Sequence, residues 1–287
     1  MGPSLSHAFA EVRENYNSLN WWRNRIFVPY VVGSTTRLHP RWPGYDEGIV
    51  VMDEEWDNLI VLDACRADVF ELVADLDEFD EYRRVVSQGS HSSEWTKRNF
   101  AGRKFGDTVY VSANPHTSKE ASNSFHRIVK MWERDFDDEE NTVLAESMVS
   151  AAKDAHEEHP DKRLIVHFMQ PHGPFVGSDT EIPDGDHDAY WQAYRENLEY
   201  VLENAMELAD ALPGTTVMTA DHGHVEVGRV LTAMGLDSHK PGLRYPGLVE
   251  VPWAVLKGDA RETTEEATAA AESDSVDARL RQLGYKV

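Results

Sequence analysis

Asn58-Leu59-Ile60-Val61-Leu62-Asp63 is the stretch on which the reading of this chain turns. Its four apolar residues run without polar alternation, so they predict a strand covered on both faces. A carboxylate stands where that buried strand must emerge. Outward from this stretch the pattern recurs. Thr108-Val109-Tyr110-Val111 leads into Ser112-Ala113-Asn114-Pro115. Leu164-Ile165-Val166-His167-Phe168-Met169 leads into Gln170-Pro171-His172-Gly173-Pro174, and Thr215-Thr216-Val217-Met218-Thr219 into Asp221-His222-Gly223-His224. Val251-Pro252-Trp253-Ala254-Val255-Leu256 closes the set. Between them, residues 141–158 and 189–211 read as amphipathic helices, the second with Tyr190, Tyr194, Leu198, Val201, Leu202 and Ala205 on one face. Strands alternating with helices predict the α/β class: a mostly parallel central sheet with helices on both faces.

Composition narrows the function. The 287 residues include 51 Asp and Glu against 28 Lys and Arg, giving a formal net charge of −23. That balance argues against nucleic acid as a partner, because phosphate contacts need clustered cations. Nine lysines against nineteen arginines, beneath such an acid excess, fit adaptation to high salt, where screening relieves self-repulsion. Eight Trp and a 41% hydrophobic fraction supply a real core. The single cysteine, Cys65, excludes a disulfide framework and a Cys-based zinc site. No apolar run approaches the roughly 18 residues of a spanning helix and no signal peptide opens the chain, so the expected location is the cytoplasm.

Three regions are expected. Residues 1–45 form a basic, aromatic extension, since no acid stands between Glu14 and Asp46 while Arg23, Arg25, Arg37 and Arg41 do. It reads either as a lid paired to the acidic body or as a patch for an anionic partner, with peripheral membrane contact through residues 20–45. Residues 46–257 form the catalytic body. Residues 258–287 hold an acidic linker or loosely held helix to about Asp277, then a short helix from Ala278 to Leu283 capped by Gly284.

In open α/β sheets, ligands bind outside the carboxyl ends of the strands. Every strand end above except the last carries a polar residue of catalytic type: Asp63, Asn114, His172, Asp221 and His222. Carboxylates and imidazoles together are the usual ligands of a divalent metal. Each alone also fits ordinary turn chemistry.

These residues carry a resemblance. Asn58 to Asp68 resembles the opening strand of the alkaline phosphatase/sulfatase superfamily, and Thr219-Ala220-Asp221-His222-Gly223 its second metal-binding motif. The segment His167 to Phe175 is similar to the one whose histidine contacts the phosphoryl or sulfuryl group. Ser238-His239-Lys240-Pro241, followed by Glu250-Val251-Pro252-Trp253, resembles the late histidine segment, and Ala278 to Tyr285 the tail of sulfatase-like proteins. The match runs from about residue 56 to 287, with the motifs in the family's order.

The resemblance implies a nucleophile in Ser90-His91-Ser92-Ser93-Glu94-Trp95-Thr96. The Trp-Thr pair places the role on Thr96, with Ser92 or Ser93 as alternatives and a helix N-cap as the plain structural reading of Ser93 or Thr96. Lys97-Arg98-Asn99-Phe100 replaces the family's usual continuation, and no Cys-x-Pro-x-Arg or Ser-x-Pro-x-Arg occurs, so no formylglycine is expected. The implied metal ligands are Asp63, Thr96, Asp221 and His222, an oxygen and nitrogen set suited to Mn²⁺ or Zn²⁺. One ion is expected; Asp184, His187 and His239 are candidates for a second. His172 and His239 would stabilise the transferring group, and Arg66 and Lys240 are candidate anion contacts, each equally open to pairing with an acid. His224 replaces the acid that often follows Asp-His-Gly in the family, and His167 receives no role. The implied function is a metal-dependent hydrolase or transferase of phosphate esters or diesters, or of sulfate esters. Its substrate would be a small molecule or a glycan- or lipid-linked ester. The alternatives are a catalytically degenerate sulfatase-like binding subunit and an envelope glycan or lipid phosphotransferase.

Overall fold

The computed structural model describes residues 42–177, 186–225, 239, 242–269 and 276–283, together with residues 13, 16–18 and 22. Asp184, Lys240, Gly284 and most of residues 20–45 lie outside the described residues.

Among the described residues seven strands form one sheet: β1 (Asn58–Asp63), β2 (Glu81–Val86), β3 (Phe105–Ser112), β4 (Phe125–Lys130), β5 (Arg163–Pro171), β6 (Thr216–Ala220) and β7 (Glu250–Leu256). Their order is β2-β7-β6-β1-β5-β3-β4. Only β7 opposes the rest, pairing antiparallel with both β2 and β6. That reversal explains why its carboxyl end alone lacks a catalytic-type residue: it opens at the other edge of the sheet. The five apolar runs are β1, β3, β5, β6 and β7. The two strands the sequence patterns do not reveal, β2 and β4, are the sheet's edges. Each has one solvated flank and mixes charge with apolar residues, as in Glu81-Tyr82-Arg83-Arg84 and His126-Arg127.

The sheet is flanked by helices, here α1 (Ala67–Val73), α2 (Ser92–Phe100), α3 (His116–Ala121), α4 (Ala145–Glu158), α5 (His187–Ala211) and α6 (Val276–Gln282). The apolar stripe on α5 is buried through Tyr194, Leu198, Val201, Leu202 and Ala205, as its periodicity requires. Trp95 and Phe100 of α2 set their rings edge-on against His167 and Tyr110. The α2 helix begins at Ser92 with His91 as N-cap, so neither Ser93 nor Thr96 caps it.

The acidic stretch after Gly258 is neither a helix nor loose over residues 258–269. It is coil pinned across the amino ends of the strands. Thr264 N donates to Asp161 O, Glu266 N to Gly106 O and Ala269 N to Phe125 O. The buried Lys162 ammonium donates to Thr264 O at 2.7 Å.

Candidate active site

Asp63 ends β1, and the turn after it is strained. Ala64 sits at φ 58°, a left-handed conformation costly for a residue with a Cβ. Two contacts hold it there: Ala64 N donates to Asp221 Oδ1 at 3.1 Å, and Tyr194 Oη donates to Ala64 O at 2.7 Å. Asp221, just past β6, uses that same Oδ1 to accept from His222 N at 2.8 Å. Gly223 follows because its Cα lies against the Gly247 carbonyl, where any side chain would collide. Asn114, at the end of β3, donates to Asp63 Oδ2 at 2.6 Å. Its amide is oriented by His116 N, which donates to Asn114 Oδ1 at 2.9 Å.

Asp221 Oδ2 is buried without a hydrogen-bond partner. It faces His222 Nε2 at 3.4 Å and His167 Nε2 at 3.9 Å. Asp63 stands on the other side, with Oδ1 3.8 Å from His222 Nε2 and Oδ2 3.7 Å from His167 Nε2. All of these groups are fully buried. Among the described residues no lysine or arginine forms an ion pair with Asp221. Burial pushes His222 down to about 3 and His167 down to about 4, so both imidazoles are neutral. His222 Nδ1–H donates to Gly223 O at 2.6 Å, which leaves Nε2 as a lone pair facing the carboxylates and the Ser92 hydroxyl. Lone pairs do not converge in a dry interior without a cation to receive them. Asp63, His167 and Asp221 offer atoms all within 4.8 Å of one another, the one group among the described residues able to hold a metal by that measure. The residues present therefore fit a divalent ion.

The hydroxyl at this centre belongs to Ser92. Its Oγ lies 3.4 Å from Asp63 Oδ2 and 3.4 Å from His222 Nε2. The loop before it is fixed tightly: Gly89 rests against the backbone of Trp95, where a side chain would collide. Ser90 N and Oγ both donate to Glu94 Oε2, at 3.0 and 2.8 Å. Thr96, expected as nucleophile and ligand, is a full helical turn farther on, about 6 Å along the axis. Its hydroxyl is buried with no hydrogen-bond partner among the described residues. Ser93 Oγ turns away to donate to Glu120 Oε1 at 2.6 Å. Of the three hydroxyls the sequence offers, Ser92 is the one within 3.4 Å of Asp63 and His222, one helical turn before Thr96.

His172 and His239 complete this edge. His172 repeats the device of His222: its Nδ1–H donates to the carbonyl of the next glycine, Gly173, at 2.5 Å. The His239 ring centre lies 4.7 Å from that of His222 and 5.5 Å from that of His172. Arg66 is paired with an acid: Nε and Nη2 grip Asp68 at 2.8 and 2.6 Å. His187 is exposed at the start of α5, with no hydrogen bond, ion pair or ring contact to the cluster. His167 is the residue the sequence reading missed. Its signal was a histidine in the middle of an otherwise apolar buried strand, a placement that costs free energy unless the ring has a partner.

The soluble domain of lipooligosaccharide phosphoethanolamine transferase A from Neisseria meningitidis superposes with a TM-score of 0.53 at 14% identity, over 71% of this chain and 76% of that one. The integral membrane protein of the same name and organism superposes at 0.52 with 13% identity, over 71% of this chain. This chain spans about half that protein's length, 47%. A protein in the alkaline phosphatase superfamily from Vibrio parahaemolyticus gives 0.46 at 14% identity, over 82% of this chain and 67% of that one. No family model matches the sequence, and no curated protein matches it. The chain shares the fold of the Neisseria transferase domain, a mostly parallel sheet flanked by helices.

Proposed function

We propose that this protein is a metal-dependent enzyme that hydrolyses or transfers phosphate esters or diesters, with sulfate esters as the second choice, through Ser92. The observation that carries the reading is the convergence of Asp221 Oδ2, His167 Nε2, His222 Nε2 and Ser92 Oγ in one buried cluster. Asp63, Asp221, His222 and His167 would hold the ion, an oxygen and nitrogen set suited to Mn²⁺ or Zn²⁺. When bound, such an ion lowers the pKa of the neighbouring hydroxyl and neutralises charge on the ester's non-bridging oxygens.

The chain's own groups supply the rest. Ser92 Oγ forms the new bond to phosphorus and loses its proton, while the opposite ester bond breaks in line. His172 presents Nε2 as the acceptor, because Gly173 O occupies Nδ1–H. His172 then returns that proton to the departing alkoxide. Water or an acceptor alcohol then attacks phosphorus, and Ser92 departs and regains its proton. Asn114 holds Asp63 in place throughout.

The test compares chromogenic phosphate monoester, phosphodiester and sulfate ester in multimolar KCl with Mn²⁺ or Zn²⁺, for wild type, Ser92→Ala and Thr96→Ala. Turnover of a phosphate ester that survives Thr96→Ala and disappears in Ser92→Ala supports the reading. Full turnover by Ser92→Ala contradicts it. Silence on all three esters without bound metal favours a binding subunit.

A transferase form of the same reading draws support from the Neisseria structure, whose name is that of a phosphoethanolamine transferase. It is checked by whether a long-chain or sugar alcohol raises turnover and appears in the product. No helix among the described residues is long and apolar enough to cross a membrane. A cytoplasmic location, with docking through residues 20–45, belongs to the proposal and is checked by cell fractionation and by cosedimentation with anionic vesicles.

A further inference from the structure

A histidine outside the carboxylate cluster is wired differently from those within it. His239 Nε2 lies 2.6 Å from His224 Nδ1, and His224 Nε2 lies 2.7 Å from the Tyr190 hydroxyl. The Tyr190 ring stacks on His224, with centroids 5.5 Å apart, and Trp191 meets the same imidazole edge-on. Tyr190 comes from the first turn of α5, His224 from the loop after β6, and His239 from the late segment. Neither Tyr190 nor His224 has a role in the chemistry above.

Hydrogen positions along this row follow from acid strength and counting. A phenol is a stronger donor than a neutral imidazole N–H, and an imidazole nitrogen is the better acceptor, so Tyr190 O–H donates to His224 Nε2. Burial pushes the Tyr190 phenol up, which keeps it protonated and able to donate. A neutral imidazole carries a single N–H. With Nε2 accepting, the hydrogen of His224 must be on Nδ1, where it donates to His239 Nε2. With its own Nε2 accepting, His239 must carry its hydrogen on Nδ1. The row therefore runs one way and ends in a donor.

We propose that Tyr190 and His224 are positioning residues that fix His239 as its Nδ1–H tautomer, so that it donates a hydrogen bond to a substrate oxygen instead of binding a second metal. This deepens the function proposed above and rests on that reading for the identity of the oxygen. It also gives the site an internal logic. His172 and His222 each tie up Nδ1–H on the following glycine carbonyl and show a lone pair, whereas His239 shows a hydrogen. A tetrahedral phosphoryl or sulfuryl group, whose outer atoms are acceptors only, needs such a donor beside the cation site.

The tautomer can be read directly, and independently of turnover. The full chain, labelled with ¹⁵N at histidine and loaded with Zn²⁺, gives nitrogen shifts that separate Nδ1–H from Nε2–H rings, with His239→Gln assigning the signal. The expected result is Nδ1–H at His239 in the wild type. Tyr190→Phe, which keeps the ring and loses the hydroxyl, should move the tautomer ratio by about tenfold. His224→Glu offers only acceptors and should invert His239 to Nε2–H. With an ester that is turned over, Tyr190→Phe should lower kcat up to about tenfold and leave KM nearly unchanged, because the donor matters most as charge develops. An Nε2–H ring in the wild type, or an unchanged ratio in Tyr190→Phe, would overturn the proposal even if the enzyme works. Zn²⁺ content falling by one equivalent in His224→Gln would also overturn it, by making His224 a ligand. If no ester is turned over, the function proposed above fails while the tautomer result still stands or falls alone.

Discussion

The two ends of the central sheet use the same residue types to opposite effect. At the amino ends of the strands, charge is closed off. Asp57 Oδ2 accepts from Thr215 N at 2.8 Å, and Arg261 donates through Nη2 to Asp57 O at 3.1 Å and to Asn58 Oδ1 at 3.0 Å. Lys162, though 2% exposed, gives its ammonium to Thr264 O and Oγ1. At the carboxyl ends, Asp221 Oδ2 and His167 Nε2 are equally buried and unsatisfied. A fold that pairs buried charge with such care at one edge does not leave it open at the other by neglect. The amino edge holds the chain together, and the carboxyl edge carries the candidate site.

Substitutions should separate these roles. The largest effect is expected from Ser92→Ala, with turnover falling by at least about 10³-fold while metal content stays at the wild-type level. Asp221→Ala should abolish metal binding and leave the circular dichroism spectrum unchanged. A chelator should then lower Tm in the wild type and not in this variant, since binding to the folded state alone is stabilising. Retained metal in Asp221→Ala would remove the carboxyl edge from its assigned role. Asn114→Ala should weaken metal affinity by about 10- to 100-fold, measured by competition with a chromogenic chelator, because Asp63 loses the amide that orients it. The smallest functional effect belongs to the amino edge. Arg261→Ala should cost ~1–3 kcal/mol in denaturant unfolding, through the buried acceptors it abandons, with metal content and turnover unaltered. A loss of turnover without a loss of stability there would break the division between the two edges.

Much of this was written in the sequence, for physical reasons that also mark its limits. A strand buried on both faces must be continuously apolar, so β1, β3, β5, β6 and β7 announced themselves, and with them the polar residues at one sheet edge. Edge strands carry no such constraint, and β2 and β4 went unseen. Asp63, Asp221 and His222 were legible because each ends an apolar run. Ser92 was harder, because four serine and threonine hydroxyls lie within seven residues and only the helix start decides which one faces the carboxylates. The role of the acidic tail was hidden as well. Arg261 and Thr264 find their partners about 100 to 200 residues away, and composition is blind to such pairing. The row from Tyr190 to His239 is of the same kind, since three elements distant in sequence meet only in the fold.

The most direct test of the central claim is rapid quenching of the metal-loaded protein during turnover of a phosphate ester, followed by peptide mass mapping of residues 85–97. The account predicts a phosphoryl group on Ser92, absent from the Ser92→Ala and Asp221→Ala variants. A phosphoryl group on Thr96, or steady turnover by a chain that never becomes modified, would contradict it.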